Sequence, residues 1–182
     1  MSTNSAIGSS QATAVADSSR MEAVERKRRQ MTNRFLFRLG LIVKMPIAWI
    51  AGMRIRKLST SSCTTSIPFK WLSQNPFRSV YFATQAMAAE LSAGALALLA
   101  VEARSPSVAM LITGFEAHYT KKANQTVFYT CEDGDRIFDA VDQAVSSGEG
   151  VEIKVTTVGR FADGTEVSRF TLTWSFKQRS SR

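Results

Sequence analysis

Between residues 21 and 44 the large apolar side chains recur at three- and four-residue spacing. Phe35, Leu36, Leu39, Ile42 and Val43 share one face, the pattern of an amphipathic helix. Its start is charged, with Glu22, Glu25 and the run Arg26-Lys27-Arg28-Arg29, and Pro46 ends it. Arg38 and Lys44 interrupt the apolar run, so the stretch is too short and too charged to span a bilayer. A second, short helix is expected over 46–51, with Pro46 in its first turn and Gly52 closing it. After Gly52 the period falls to two. Met53 and Ile55 alternate with Arg54 and Arg56, residues 59–62 read as a turn, and 64–71 as a second strand.

Residues 81–103 form the longest helical stretch, rich in Ala, Leu and Met and interrupted only by Gly94. Four strands are expected after it, over 107–119, 125–131, 151–161 and 167–177, with Asp163-Gly164 as a hairpin turn. A helix is inserted over 135–147, where Ile137, Phe138, Val141, Ala144 and Val145 fall at helical spacing. Strands gathered after a single long helix imply an antiparallel sheet, hence α+β. One helix cannot cover both faces of such a sheet, so a homodimer or tetramer is expected. Residues 1–20, rich in Ser, Ala and Thr, are expected to be a disordered extension, with Met21 as an alternative start. The basic helix then covers 21–44 and one domain covers 45–178.

Charge changes this picture in one respect. The net charge of +8 is not spread evenly. Residues 20–57 hold eleven Lys/Arg against two acids, and the other segments twelve against thirteen, so the body is near neutral. A solvated helix face accounts for the basic stretch. A weak contact with a membrane surface, or a docked partner, remains open there, and no nucleic-acid partner is expected. Cys63 and Cys131 lie far apart, which argues against a disulfide framework or a zinc site and suits a reducing, cytoplasmic setting. With His118 as the one histidine, Ser-His and Cys-His catalytic sets are poorly supplied. No metal or cofactor is expected, and no phosphate-binding glycine motif occurs.

The chemistry-bearing position is Glu90. It sits mid-way along a helix that is apolar nearly all round, and its neighbours one turn away are Ala86, Met87, Ala93 and Gly94. No cation on that helix can pair with it. A buried carboxylate without a partner is costly, or its pKa rises. Either a group outside the helix compensates it, or it is kept for chemistry.

The run Asn75-Pro76-Phe77-Arg78-Ser79-Val80-Tyr81-Phe82-Ala83, followed by Ala88-Ala89-Glu90, resembles the signature loop and helix of hotdog-fold acyl-CoA thioesterases of the phenylacetate-pathway type. It is more closely similar to a functionally uncharacterised bacterial branch of that fold. The Gly52-Met53-Arg54-Ile55 entry and Trp174-Ser175-Phe176-Lys177 extend the resemblance over about residues 44–177. It implies a sheet wrapped around the central helix, an acyl group in an apolar channel at a dimer interface, and coenzyme A at the surface. In those relatives a His-Gly-Gly turn opens the helix and an Asp follows nine positions after the His. Here Tyr81, Phe82 and Ala83 occupy the turn, and Glu90 corresponds to the Asp, a general base or nucleophile. The N–H groups of Phe82 and Ala83 at the helix start are then candidates for an oxyanion hole.

Other positions carry weaker expectations. Asn75, Arg78, Lys121 and Lys122 are candidates for substrate contact. For Asn75 a turn role, and for the lysines beside His118 an exposed loop charge, is the favoured explanation. Ser79 is expected to cap the helix. Glu132, Asp133 and Asp135 are expected to cap the inserted helix rather than hold a metal. A protein that binds acyl-CoA or lipid without turnover is the alternative to the hydrolase. A docking module built on 26–44 is a third reading.

Overall fold

The computed structural model describes the backbone of residues 4–179 and the side chains of residues 17–179. Three helices lead the chain: α1 (Asn4–Thr32), α2 (Arg34–Lys44) and α3 (Pro46–Ala51). Strands β1 (Arg54–Leu58) and β2 (Cys63–Ile67) follow. A short 3-10 turn at Trp71–Ser73 leads into the central helix α4 (Phe82–Val101). Then come β3 (Val108–Tyr119), β4 (Val127–Cys131), α5 (Gly134–Ser147), β5 (Val151–Arg160) and β6 (Glu166–Gln178). The six strands form one antiparallel sheet in the order β1-β2-β4-β5-β6-β3.

Alternation decides what the sheet presents to α4. On β6 Phe170, Leu172, Trp174 and Phe176 are buried while Thr171, Thr173 and Ser175 are less so, and Val155, Thr157 and Gly159 do the same on β5. The buried rows face α4, whose alanines let the strands come close. Thr65 donates to the Ala88 carbonyl at 2.6 Å, and the Ser92 and Thr157 hydroxyls meet at 2.7 Å. By length and composition α4 could cross a membrane. Instead it is the core helix, with Leu96 and Leu99 fully buried against the sheet. This is the hotdog architecture that the sequence resemblance implies, with α5 packed beside α4.

The leading segment departs from expectation in two places. Residues 4–20 are helical rather than a disordered extension; residues 1–3 lie outside those described. Among the described side chains, several from Arg20 onward anchor α1. Ala23 and Val24 are buried, Arg20 donates to the Ala100 carbonyl, and Lys27 pairs with Glu102 at 3.4 Å. Arg28 reaches the Leu58 carbonyl at 3.2 Å. The expected single helix over 21–44 is also broken, at Asn33. Its extended backbone stops α1, and its Oδ1 accepts the N–H groups of Phe35 and Leu36, capping α2. Apolar spacing alone cannot reveal such a break, because the cap lies off the apolar face.

Cys63 and Cys131, remote in sequence, stand directly opposite each other on β2 and β4. Both are buried free thiols, which burial pushes up to about 12 and about 11.

Candidate active site

The approach to α4 is built by Asn75. Its Oδ1 accepts the N–H groups of Phe77 and Ser79, and the Ser79 hydroxyl, each at 3.1 Å. Its own N–H donates to the Ser79 carbonyl at 2.8 Å. The side chain thus closes a tight loop, with Arg78 at its tip in the left-handed region (φ 55). The Val80 and Tyr81 N–H groups donate to the carbonyls of Ala123 and Ser73, fixing where the helix begins.

Ser79 therefore does not cap the helix as expected, because Asn75 holds its hydroxyl. Tyr81 stands at the N-cap position without a capping side-chain bond, so no side chain caps α4. A helix start of this kind presents N–H groups and a partial positive charge. The Tyr81 and Phe82 rings, both exposed, pack edge to face at 4.8 Å beside it. Tyr119 donates to the Phe82 carbonyl at 3.4 Å. An open cleft of about 390 Å³ lies here, lined by Asn75, Phe82, Gln85, Tyr119, Lys121 and Lys122. The structure thus brings together three of the four substrate-contact candidates with the helix start. Arg78 is exposed and Ala83 partly covered, and neither lines the cleft.

Beneath the cleft lies a buried polar set that the sequence did not single out. Tyr129 donates to Gln85 Oε1 at 2.7 Å and meets the Ser168 hydroxyl at 2.8 Å. Gln85 Nε2 donates to the Val80 carbonyl at 2.9 Å. The set ties the first turn of α4 to β4 and β6. The signal was available, since Gln85, like Glu90, is a polar residue in an alanine-rich apolar helix.

Glu90 lies two turns beyond, about 12 Å along the axis from Phe82. It forms no hydrogen bond or ion pair with any described residue, and burial alone pushes its carboxyl above the usual carboxylate range. It is half-buried rather than enclosed, because Ala83, Ala86, Met87 and Glu90 form a stripe that the chain's own sheet leaves partly uncovered. The carboxylate lies against Gly94, which the Trp174 indole also borders. A Cβ built on Gly94 would stand 2.7 Å from Glu90 Oε1 and 3.5 Å from Trp174 Cζ2. The Trp174 N–H is buried and has no acceptor among the described residues. One unpaired acceptor and one unpaired donor therefore flank the same stretch of α4.

Of the acids 132, 133 and 135, Asp133 takes the N-cap position of α5 and Asp135 its first turn, as expected, but Asp133 makes no side-chain capping bond. Asp133 instead accepts the Thr156 N–H on β5 at 2.8 Å and pairs with Arg136. His118 is exposed and bonded to Glu116 at 2.8 Å.

A family described as a domain of unknown function, DUF4442, matches residues 33–176. The chain belongs to this family. No curated protein matches the sequence. Among solved structures, a Pseudomonas aeruginosa protein of unknown function, described as a "probable thioesterase", superposes with TM-score 0.68 at 17% identity. That match covers 82% of this chain and 99% of the other. A second Pseudomonas aeruginosa protein, a thioesterase solved as a mutant, matches at TM-score 0.58 and 15% identity over 79% and 94% of the two chains. A thioesterase from Haemophilus influenzae matches at TM-score 0.54 and 11% identity over 77% and 88%. At such identities the likeness establishes the hotdog fold of this DUF4442 member and leaves its chemistry to the site.

Proposed function

We propose that the protein hydrolyses acyl thioesters, acyl-CoA being the substrate class, with Glu90 as general base or nucleophile. The observation that carries this reading is the half-buried Glu90 carboxylate, which has no partner among the described residues and whose pKa is raised. A base poised above the ordinary carboxylate range accepts a proton from water more readily near neutral pH. In the general-base route Glu90 takes a proton from water as its oxygen adds to the thioester carbonyl. The resulting oxyanion accepts hydrogen bonds from the Phe82 and Ala83 N–H groups, and its collapse expels the thiolate. Relatives named as thioesterases on the same fold support the assignment.

The roughly 12 Å between Glu90 and the helix start of one subunit is too long for a shared substrate atom. A two-fold dimer, in which Glu90 faces the partner's helix start, removes the difficulty. Strand β3 has a free edge among the described strands and carries exposed Leu111 (66%) and Phe115 (48%), as a covered edge requires. The cleft at Asn75, Lys121 and Lys122 then offers cationic contacts to the phosphates of coenzyme A. The crowding of the helix start by Tyr81 and Phe82 favours a second reading, an acyl-CoA binder without turnover.

Free-thiol release from a panel of acyl-CoAs separates the two readings, turnover supporting the hydrolase and tight binding without turnover the binder. Gly94→Ala gives a finer test of the carboxylate's placement. The added methyl displaces the flexible end of Glu90, while the helix gains up to about 1 kcal/mol in propensity. Turnover is expected to fall at least about tenfold with Tm unchanged or raised, since a misplaced catalytic group loses rate without unfolding the protein.

A further inference from the structure

Helix α2 buries Leu41, and Phe37 in part, on one side and turns Phe35, Leu36, Leu39, Ile42 and Val43 to solvent on the other. At 3.6 residues per turn these five exposed side chains span about a third of the circumference. Phe35 is 75% and Val43 73% exposed. The next helix continues the surface with Ile47, 65% exposed, and with Trp49 and Ile50. A contiguous exposed apolar surface of this kind marks an interaction site.

Its surroundings are cationic throughout. From residue 26 to residue 89 the chain carries twelve Lys/Arg and no acid. Arg34, Arg38, Arg54 and Arg56 line one cleft of about 470 Å³ beside Phe35. Arg38 and Arg54 also line the adjoining cleft with Lys70, Trp49 and Leu72. None of these five cations pairs with an acid among the described residues. Burial and the neighbouring Arg54 and Arg34 hold Arg56 below its ordinary value, as cations gathered without counter-charge do.

We infer that α2 and α3 dock the protein on an anionic phospholipid bilayer, with the apolar stripe in the interface and the arginine clefts on lipid phosphates. The chemistry selects this occupant over the others. A nucleic acid would use the cations and leave the apolar stripe in water. A second copy in two-fold contact would set arginine against arginine. At about 16 Å, α2 is half the thickness of a bilayer core and lies in its plane. Apolar insertion combined with charge attraction is the physics of interfacial helices.

The test is co-sedimentation of the full chain with vesicles of phosphatidylcholine alone and of phosphatidylcholine with phosphatidylglycerol. Binding is expected only to the anionic vesicles, and should weaken as salt rises. Arg34→Gln with Arg38→Gln should lower binding about thirty-fold, from about fivefold per cation. Phe35→Ser with Val43→Ser should lower it at least about tenfold. Ile47→Ser, on the other helix, gives an independent reading should the serine pair disturb α2. Absence of binding to anionic vesicles at low salt overturns the proposal. So does binding that the serine variants leave intact, which would mean adsorption by charge alone. A lower oligomeric mass in those variants with vesicle binding retained would assign the stripe to a second copy instead, and overturns it equally.

Discussion

Glu90→Gln is expected to lower thioester turnover by about 10²–10⁴-fold while making the folded protein more stable at neutral pH. The two effects come from one cause. Burial favours the protonated carboxyl in the folded chain, so its pKa there lies above the unfolded value. Below the unfolded value both states hold the proton, and the residue costs nothing. As pH rises from there to the folded value, the unfolded chain releases its proton first. Stability falls across that window and stays lowered above it. The amide carries no charge, so the variant's advantage should appear above the ordinary carboxylate range and vanish in acid. For a chain of this size each 1 kcal/mol is read as about 2–4 °C in Tm. Turnover should fall in the opposite sense, since the working form is the carboxylate. The pH profile of kcat/KM is expected to drop on the acid side with a midpoint above about 4.3, the ordinary glutamate value. Glu90→Asp keeps the charge and withdraws it by one methylene, and should recover part of the activity. A Gln variant with full turnover removes Glu90 from the chemistry, and one that melts lower than the parent means that the carboxylate has a stabilising partner in the assembled protein.

That no cation on α4 pairs with Glu90 was legible in the sequence because it depends on local periodicity. Residues one turn away are fixed by the helix, and none of them carries a positive charge. The partner face was not legible. That Trp174, with an indole N–H unpaired among the described residues, borders the same glycine follows from β6 packing on α4, which no short-range pattern encodes. Strand existence could be read from alternation, but the order β1-β2-β4-β5-β6-β3 depends on which edges meet over long loops. Asn33 shows a different limit. It sits between a charged, helix-favouring stretch and the apolar repeat that begins at Phe35, so helical composition reads straight through a helix break made by one side-chain cap. The same holds for Ser79, whose hydroxyl was free to cap α4 by position and is held instead by Asn75, four residues earlier.

Gly134→Ala is expected to be the most damaging of the single-methyl additions, costing roughly 3 kcal/mol or more and lowering Tm by about 6–12 °C. Gly134 opens α5 with an unremarkable φ, so the constraint is space rather than backbone freedom. A Cβ there would lie 2.1 Å from the Thr60 carbonyl oxygen and 2.6 Å from the Ser61 Cα and carbonyl carbon. These are backbone atoms in the turn joining β1 to β2, and the Gly134 N–H donates to the Ser61 carbonyl at 3.0 Å. Relief therefore requires moving that turn away from α5 and breaking the bond that joins them. At Gly159 the same methyl would meet the Tyr129 ring at 2.4 Å, a ring fixed by its bonds to Gln85 and Ser168. Displacing it loosens the first turn of α4, so Gly159→Ala should impair turnover as well as stability. At Gly94 the obstacle is the tip of a flexible side chain, which can swing aside. One chemical change thus separates three roles: hairpin packing at Gly134, support of the helix start at Gly159, and carboxylate placement at Gly94. Thermal melts ranked 134, 159, 94 from lowest to highest Tm, with turnover lost at 94 despite a parental melt, are the expected pattern. A Gly134→Ala protein that melts like the parent would show that α5 and the β1–β2 turn do not touch as described.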